Sequence, residues 1–329
     1  MLTNAADTED VLSATLSKMK LKALTAAAFD AAGRWAVELP AIDILRLHVV
    51  LAGECWLTID GAAPLQLRAG DCFLLPQAKS FVIASDPSVK KKTLAEHLHG
   101  TAEDGIVRVV CNGGGQYLGV ACAFLLEGHF PKIVFGGLPS VIHIPAHAEQ
   151  AAILRWTVER FSAEVRNRHA GRALMLRHLA PIILLQTLRS YLASARGEKN
   201  WFVALSDPRL SKALAAMQSD YAHDWSLDTL ARTAGLSRAG FALNFKRSIG
   251  VAPMEYLTQW RMQIACELLA SGDRGVGEIA KAVGYESESA FSVAFHKVVA
   301  CRPGQYRRRL SMGPVPSPTS VRSVREGMG

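Results

Sequence analysis

Two stretches of this chain are versions of one another. LARTAGLSRAGFALNFK starts at Leu230 and IAKAVGYESESAFSVAFHK at Ile279, about fifty residues apart. Ala231, Gly235, Ser237, Phe241 and Phe245 of the first match Ala280, Gly284, Ser287, Phe291 and Phe295 of the second, which has one extra residue in its turn. Each copy reads as helix, glycine turn, helix. A small Ala lets two helices cross closely, a Gly takes the left-handed conformation that ends the first, and a Ser caps the second. The Phe pair at i and i+4 must face a core. What remains is a free face, carrying Arg238, Ala239, Ala242, Leu243 and Lys246 in one copy and Glu288, Ser289, Ser292, Val293 and His296 in the other. A helix-turn-helix lays such a face into the major groove of DNA. With Ser237 and Ser287 at the helix starts, and Arg247 and Lys297 near their ends, these residues form the candidate DNA-binding set. Between the copies, PMEYLTQWRMQIACELL opens with Pro253 and reads as a long amphipathic helix. If it holds the units one DNA turn apart, roughly 34 Å, both second helices reach successive grooves.

The remaining chain supports more than one domain, because 329 residues exceed the span of a single core. From Trp35 to Ser85, LRLHVVLAGECWLTIDG and LQLRAGDCFLLPQ alternate apolar and polar residues and break at Gly53, Asp60-Gly61, Gly70-Asp71 and Pro76. That pattern predicts a small antiparallel sheet or barrel, with Asp60-Gly61 a hairpin turn. Ile106 to Cys111 and Tyr117 to Leu126 read as further strands around the flexible run Asn112-Gly113-Gly114-Gly115, and Lys90 to Gly105 as a charged loop. After Pro145 the period changes to that of helices, over Ala151 to Arg166 and Arg172 to Ala195. Their apolar stripe either pairs with a second copy of the chain or packs on the chain's own barrel. The tail, rich in Pro, Ser and Gly, is expected to be disordered. The organisation predicted is α+β multidomain: a barrel over 1–148, a helical linker over 149–205, an all-α domain with two helix-turn-helix units over 206–310, and a tail over 311–329.

Charge agrees with this division. The net charge of +8 breaks down as −3 over 1–150, +6 over 151–205, +4 over 206–310 and +1 over 311–329. The basic excess thus sits in the half that would meet a polyanion. No apolar run reaches the ~18 to 20 residues of a membrane span, the nearest being Ala180 to Leu188 between Arg177 and Arg189. MLTNAADTED lacks the basic-then-apolar order of a secretory signal, so a cytoplasmic protein with no membrane partner is expected. The six cysteines show no C-x-x-C spacing, which argues against a zinc knuckle or a disulfide framework.

The stretch Trp225 to Arg308 resembles the DNA-binding domain of the AraC/XylS regulators: W-S-L-x-x-L-A, G-L-S-R-x-x-F, R-M-x-x-A-x-x-L-L from Arg261, I-A-x-x-V-G-Y from Ile279 and R-P-G-Q-Y-R-R from Arg302. HVVLAGECWLTIDG, LRAGDCFLLPQ and VRVVC resemble the cupin-type sensing domain found in one branch of that family. The resemblance implies a transcription regulator, usually an activator, that binds promoter double-stranded DNA, works with RNA polymerase and is no enzyme. It also implies a small-molecule effector in a cupin-like barrel. Relatives usually carry an Arg in each second helix two residues after the first Phe; here those positions are Leu243 and Val293. A guanidinium there would read guanine, so its loss removes about 1 to 3 kcal/mol of discrimination per position, while an apolar side chain can still meet a thymine methyl.

For the barrel, Trp35, His48, Trp56 and Phe81 are the candidate effector-binding residues. A metal-dependent cupin enzyme is disfavoured, because His48 stands alone on its strand and Phe81 occupies a position where a ligand His would be expected. His97-x-His99 has a ligand-like spacing but follows a Lys run in a loop, so neither metal nor cofactor is expected. A thiol sensor built on Cys111 beside the Gly run, with Cys55, Cys72 and Cys122 nearby, competes with the reading of all four as inert core residues.

Overall fold

The computed structural model describes residues 10–19, 21–59, 62–97, 106–126, 128, 130–148, 152–167, 169–195, 198–272 and 274–311. The turn expected at Asp60-Gly61, His99 and the tail beyond 311 lie outside them. In chain order the elements are α1 (Val11–Lys18), β1 (Lys22–Ala31), β2 (Ala36–Leu39), β3 (Leu45–Ala52), β4 (Glu54–Ile59), β5 (Leu65–Arg68), β6 (Cys72–Leu75), β7 (Phe81–Ala84), β8 (Lys92–Thr93), β9 (Ile106–Cys111) and β10 (Tyr117–Leu125). Then follow α2 (Pro131–Gly136), β11 (Ile142–Ile144), α3 (Ala152–Arg166), α4 (Arg172–Ser194), α5 (Trp201–Ala204), α6 (Pro208–Ser219), α7 (Leu227–Thr233), α8 (Arg238–Ile249), α9 (Pro253–Ser271), α10 (Val276–Ala282), α11 (Glu288–Val299) and α12 (Pro303–Ser311).

These elements form two compact units. One is the barrel with α3 and α4; the other gathers α1, the segment carrying α2, and everything from 198 onward. The division differs from the boundaries expected at 148 and 205. Two pieces of the N-terminal half fold with the C-terminal helices, and the linker helices α3 and α4 fold with the barrel.

In the barrel unit a six-stranded sheet, ordered β11-β6-β3-β10-β1-β9, faces a five-stranded one, ordered β5-β4-β7-β2-β8. Phe29, Val50, Phe73 and Tyr117 of the first sheet and Val37, Leu57, Phe81 and Ile83 of the second supply one buried cluster. Strand β1, KALTAAAFDA, lies one strand in from the edge of its sheet, antiparallel to β10 and parallel to the edge strand β9. Its alanines favour a helix locally, so pairing on both sides overrides propensity. The run from Asn112 to Gly115 is a turn with four successive residues at positive φ. The Asp30 carboxylate holds it by accepting from the Gly115 N–H at 2.7 Å, and Asn112 donates to the carbonyls of Ala32 and Arg34. Helices α3 and α4 pair with each other and rest on the six-stranded sheet, where Thr187 meets Cys72 at 3.4 Å and Arg166 reaches the Leu51 carbonyl.

The helical unit is organised around α9, which buries Tyr256, Leu257, Trp260, Ile264 and Leu269 among others. The fully buried Phe130 sets its ring edge-on against Tyr256 at 5.2 Å and against Trp260 at 4.9 Å. From α1, Thr15 accepts from Gln218, which also donates to the Tyr256 hydroxyl. The Lys18 carbonyl accepts from Gln263, and the Lys18 ammonium pairs with Glu267 at 3.2 Å.

Candidate nucleic-acid interface

The two repeats adopt one local structure twice. Helix α7 ends on Gly235 at φ +65° and α10 on Gly284 at φ +81°. In both, the N–H after that Gly closes onto the helix, Leu236 to the Ala231 carbonyl and Tyr285 to the Ala280 carbonyl, each at 2.9 Å. The next Ser then caps the second helix. Ser237 Oγ accepts from the Gly240 N–H and Ser287 Oγ from the Ala290 N–H, both at 3.2 Å.

Side-chain exposure repeats as well. Through the fourteen positions of Ser237–Gly250 and Ser287–Ala300 the order of exposed, intermediate and buried residues is the same. Phe241, Phe245 and Ile249 are buried, as are Phe291, Phe295 and Val299. Ser237, Arg238, Ala239, Leu243, Lys246 and Arg247 are exposed, with Ser287, Glu288, Ser289, Val293, His296 and Lys297 their counterparts; Ala242 and Ser292 are half-buried. All fourteen candidate residues therefore lie on the outward side of their helices or at its border. Leu243 and Val293 are 70% and 72% exposed, more than any other large apolar residue described. An exposed apolar side chain at the centre of an otherwise polar face has no partner in the fold. Arg238 pairs across the turn with Asp228 at 3.5 Å, both well exposed, so the tie is weak and open to exchange for a phosphate. Arg247 and Lys297 come to one groove of about 940 Å3, which Lys132 and Lys199 also line.

Three features escaped sequence reading. Arg261 of α9 donates to the Tyr221 carbonyl at 2.7 Å and the His223 carbonyl at 2.8 Å, and its guanidinium lies 5.7 Å from the Tyr285 ring. It thereby clamps the second turn to the loop before the first unit. Gly284 sits in the same contact: a Cβ there would stand 2.5 Å from the Ala222 carbonyl oxygen, so both φ and space require Gly. Tyr256 and Tyr306 each set an edge against the second Phe of their unit, at 5.6 and 5.7 Å. The fifty-residue offset continues through Pro253/Pro303 and Tyr256/Tyr306, so extending the repeat comparison would have found this pair.

The candidate barrel residues are brought together only in part. His48 lines a small pocket and stacks on Phe73 at 4.6 Å, with the Phe81 edge 5.3 Å away. Burial first, and the Arg46 cation second, hold its imidazole down to a pKa of about 3. Trp35 belongs to the core and touches Tyr117, with ring centroids 4.9 Å apart. Trp56 alternates with Cys55, Leu57 and Ile59, which face the core, and so stands on the opposite side of β4. All six thiols are buried. Burial pushes Cys55, Cys72 and Cys122 up to about 12 and raises Cys111 as well, which keeps them from the reactive thiolate form. Among the described residues no three His, Cys, Asp or Glu gather as a metal-holding group, and no helix is long and apolar enough to cross a membrane.

Family models match both halves of the chain. A family model described as cupin matches residues 10–193, and one described as helix-turn-helix domain matches 230–309. A Streptomyces lividans protein named for its likeness to the AraC transcription regulators is 34% identical over 92% of this chain and 99% of its own length. The HTH-type transcriptional regulator AlkR of Acinetobacter baylyi is 28% identical over 84% of this chain and 92% of its own. Among solved structures, the C-terminal domain of AraT, a response regulator from Geobacillus stearothermophilus, is 33% identical over 31% of this chain and 84% of that one, at a TM-score of 0.30. ToxT from Vibrio cholerae covers 88% of this chain and 99% of its own at 13% identity and a TM-score of 0.36. The sequence matches carry the assignment: this chain belongs to the AraC-type transcription regulators, DNA-binding proteins with an N-terminal cupin domain, and is not an enzyme.

Proposed function

We propose that the chain is a sequence-specific activator that reads promoter DNA through the outward faces of α8 and α11, under the control of a small molecule held in its barrel. The observation that carries this reading is the repeated exposure pattern, with two equivalent, solvent-facing helix faces on one compact unit. Arg238, Ser289 and Glu288 supply polar contacts near the helix starts, where recognition helices meet base edges. Lys246, Arg247, His296 and Lys297 serve the phosphates, and Leu243 and Val293 supply apolar contact to thymine methyl groups. Half-buried Ala242 and Ser292 allow close approach, and Ser237 and Ser287 hold the helix starts.

Control by an effector is supported by the apolar pocket beside His48, backed by Phe81. Effector binding would shift an equilibrium between less and more competent arrangements of the chain, with RNA polymerase the downstream partner in the cytoplasm. Homodimers would form through α3 and α4, where Ile153, Trp156, Leu174, Met175 and Ile182 remain exposed although the other side of these helices rests on the sheet.

The test is a titration of the protein against its own upstream DNA and a scrambled duplex at two salt concentrations. A preference above about 100-fold at ~150 mM salt supports sequence reading. Equal, weak binding that only falls with salt refutes it.

A further inference from the structure

We propose that the barrel pocket binds a small apolar carboxylic acid in its anionic form, with the carboxylate on Arg46 and His48. The proposal rests on the effector reading above and gives that effector a chemical class. Arg46 and His48 lie two residues apart on β3, on the face turned toward the barrel interior, and are only 7% and 5% exposed. Arg46 donates through Nη2 to the Pro40 carbonyl and lies 5.2 Å from the centroid of the Phe81 ring. Its Nη1 is buried with no hydrogen-bond partner, and so is His48 Nε2. Among the described residues no carboxylate pairs with this guanidinium. A buried cation without an anion is costly, and proteins almost always pair one. Here the missing partner has a place to sit.

The pocket has a volume of about 170 Å3. Leu39, Ile42, Ile44 and Leu94 give it apolar walls. Opposite Arg46 and His48 the neighbouring strand offers only Ala123 and Ala121, with Ala27 beyond, so small side chains open the space directly over the two polar groups. The polar end has one positive charge, since burial keeps His48 neutral. That suits a monoanion, whereas a phosphate dianion would leave a charge uncompensated. A carboxylate accepts from Nη1 and from a protonated Nε2 while the hydrocarbon part fills the apolar remainder. A cavity near 150 Å3 accommodates a benzene ring, so the acid has roughly six to ten heavy atoms.

The experiment is calorimetric titration of the full chain with hexanoate and benzoate against hexanamide and benzamide, in the wild type and in Arg46→Met, with melting curves to verify folding. The expected result is that the acids bind the wild type about 10- to 100-fold tighter than their amides, the range for one charge-assisted hydrogen-bonded contact. Arg46→Met loses that preference while still taking the amides. Equal binding of acids and amides to the wild type overturns the carboxylate assignment and leaves the effector reading in place. Binding of neither class at millimolar concentration overturns both. The wild-type comparison decides the matter even if the variant fails to fold.

Discussion

Phe130→Ala is expected to destabilise the DNA-binding unit, although the residue lies far upstream of the helix-turn-helix units in sequence. Its ring is 1% exposed and wedged edge-on against Tyr256 and Trp260 of α9, the helix that joins the two recognition units. Removing a buried Phe costs about 3 to 5 kcal/mol in lost transfer energy and residual cavity. Each edge-to-face contact adds about 0.5 to 1.5 kcal/mol within that range. For a unit of about 150 residues, each kcal/mol lowers the melting temperature by about 2 to 4 °C, so the midpoint should fall by roughly 6 to 20 °C. The assay is DNA binding followed by fluorescence anisotropy as the temperature rises, with calorimetry in parallel. At 20 °C the variant should bind DNA nearly as well as the wild type, because Phe130 touches neither recognition helix in the contacts described. A midpoint within 2 °C of the wild type would refute the claim that this segment is part of the DNA-binding core.

Truncating Leu243 and Val293 to Ala should lower the preference for native over scrambled DNA by about tenfold and leave the salt slope unchanged; removing Arg247 and Lys297 should weaken both duplexes alike and reduce the slope by about 2. Gly284→Ala should cost a few kcal/mol, read as a lower urea midpoint, whereas Gly304→Ala, with open space around it, should cost little. His48 titrates near 3 when folded against an ordinary imidazole value of 6.5, so the unfolded chain binds the extra proton between those values. Its contribution is full above pH 6.5 and drains away toward pH 3, at up to about 1.4 kcal/mol per pH unit; urea midpoints at pH 7, 5.5 and 4.5 should fall accordingly, and His48→Gln should flatten the fall. Native protein should resist thiol alkylation at pH 8 until it unfolds, and rapid labelling of Cys111 alone would revive the thiol-sensor reading.

The helical half was legible because its information is local and written twice. Gly235 and Gly284, the capping serines and the Phe pairs each act within one turn of their own helix, so spacing alone predicts their geometry. In the barrel the alternation of strands is equally readable. Cys55, Leu57 and Ile59 place the core on one face of β4, and that same pattern places Trp56 on the other. Arg46 stood in the open in LRLHVV as the polar member of an alternating strand; only the packing of alanines opposite it shows an enclosed cation. Nothing local marks α1 or Phe130 as parts of the DNA-binding unit, because their partners lie far along the chain and a sequence window cannot contain them.

The placement of α1 bears on how the chain is made. Its ties to Gln218, Gln263 and Glu267 span 203 to 249 residues. At a synthesis rate of about 5 to 20 residues per second, α1 leaves the ribosome roughly 10 to 50 seconds before the surface it docks on exists. The segment with Phe130 waits for Tyr256 and Trp260 in the same way. During that interval the buried side of α1, Val11, Leu12 and Ala14 with Thr15, has no native cover. Each nascent molecule therefore carries an early adhesive segment that only helices made much later can silence, so products stalled or truncated before those helices should be marked for chaperone capture by α1.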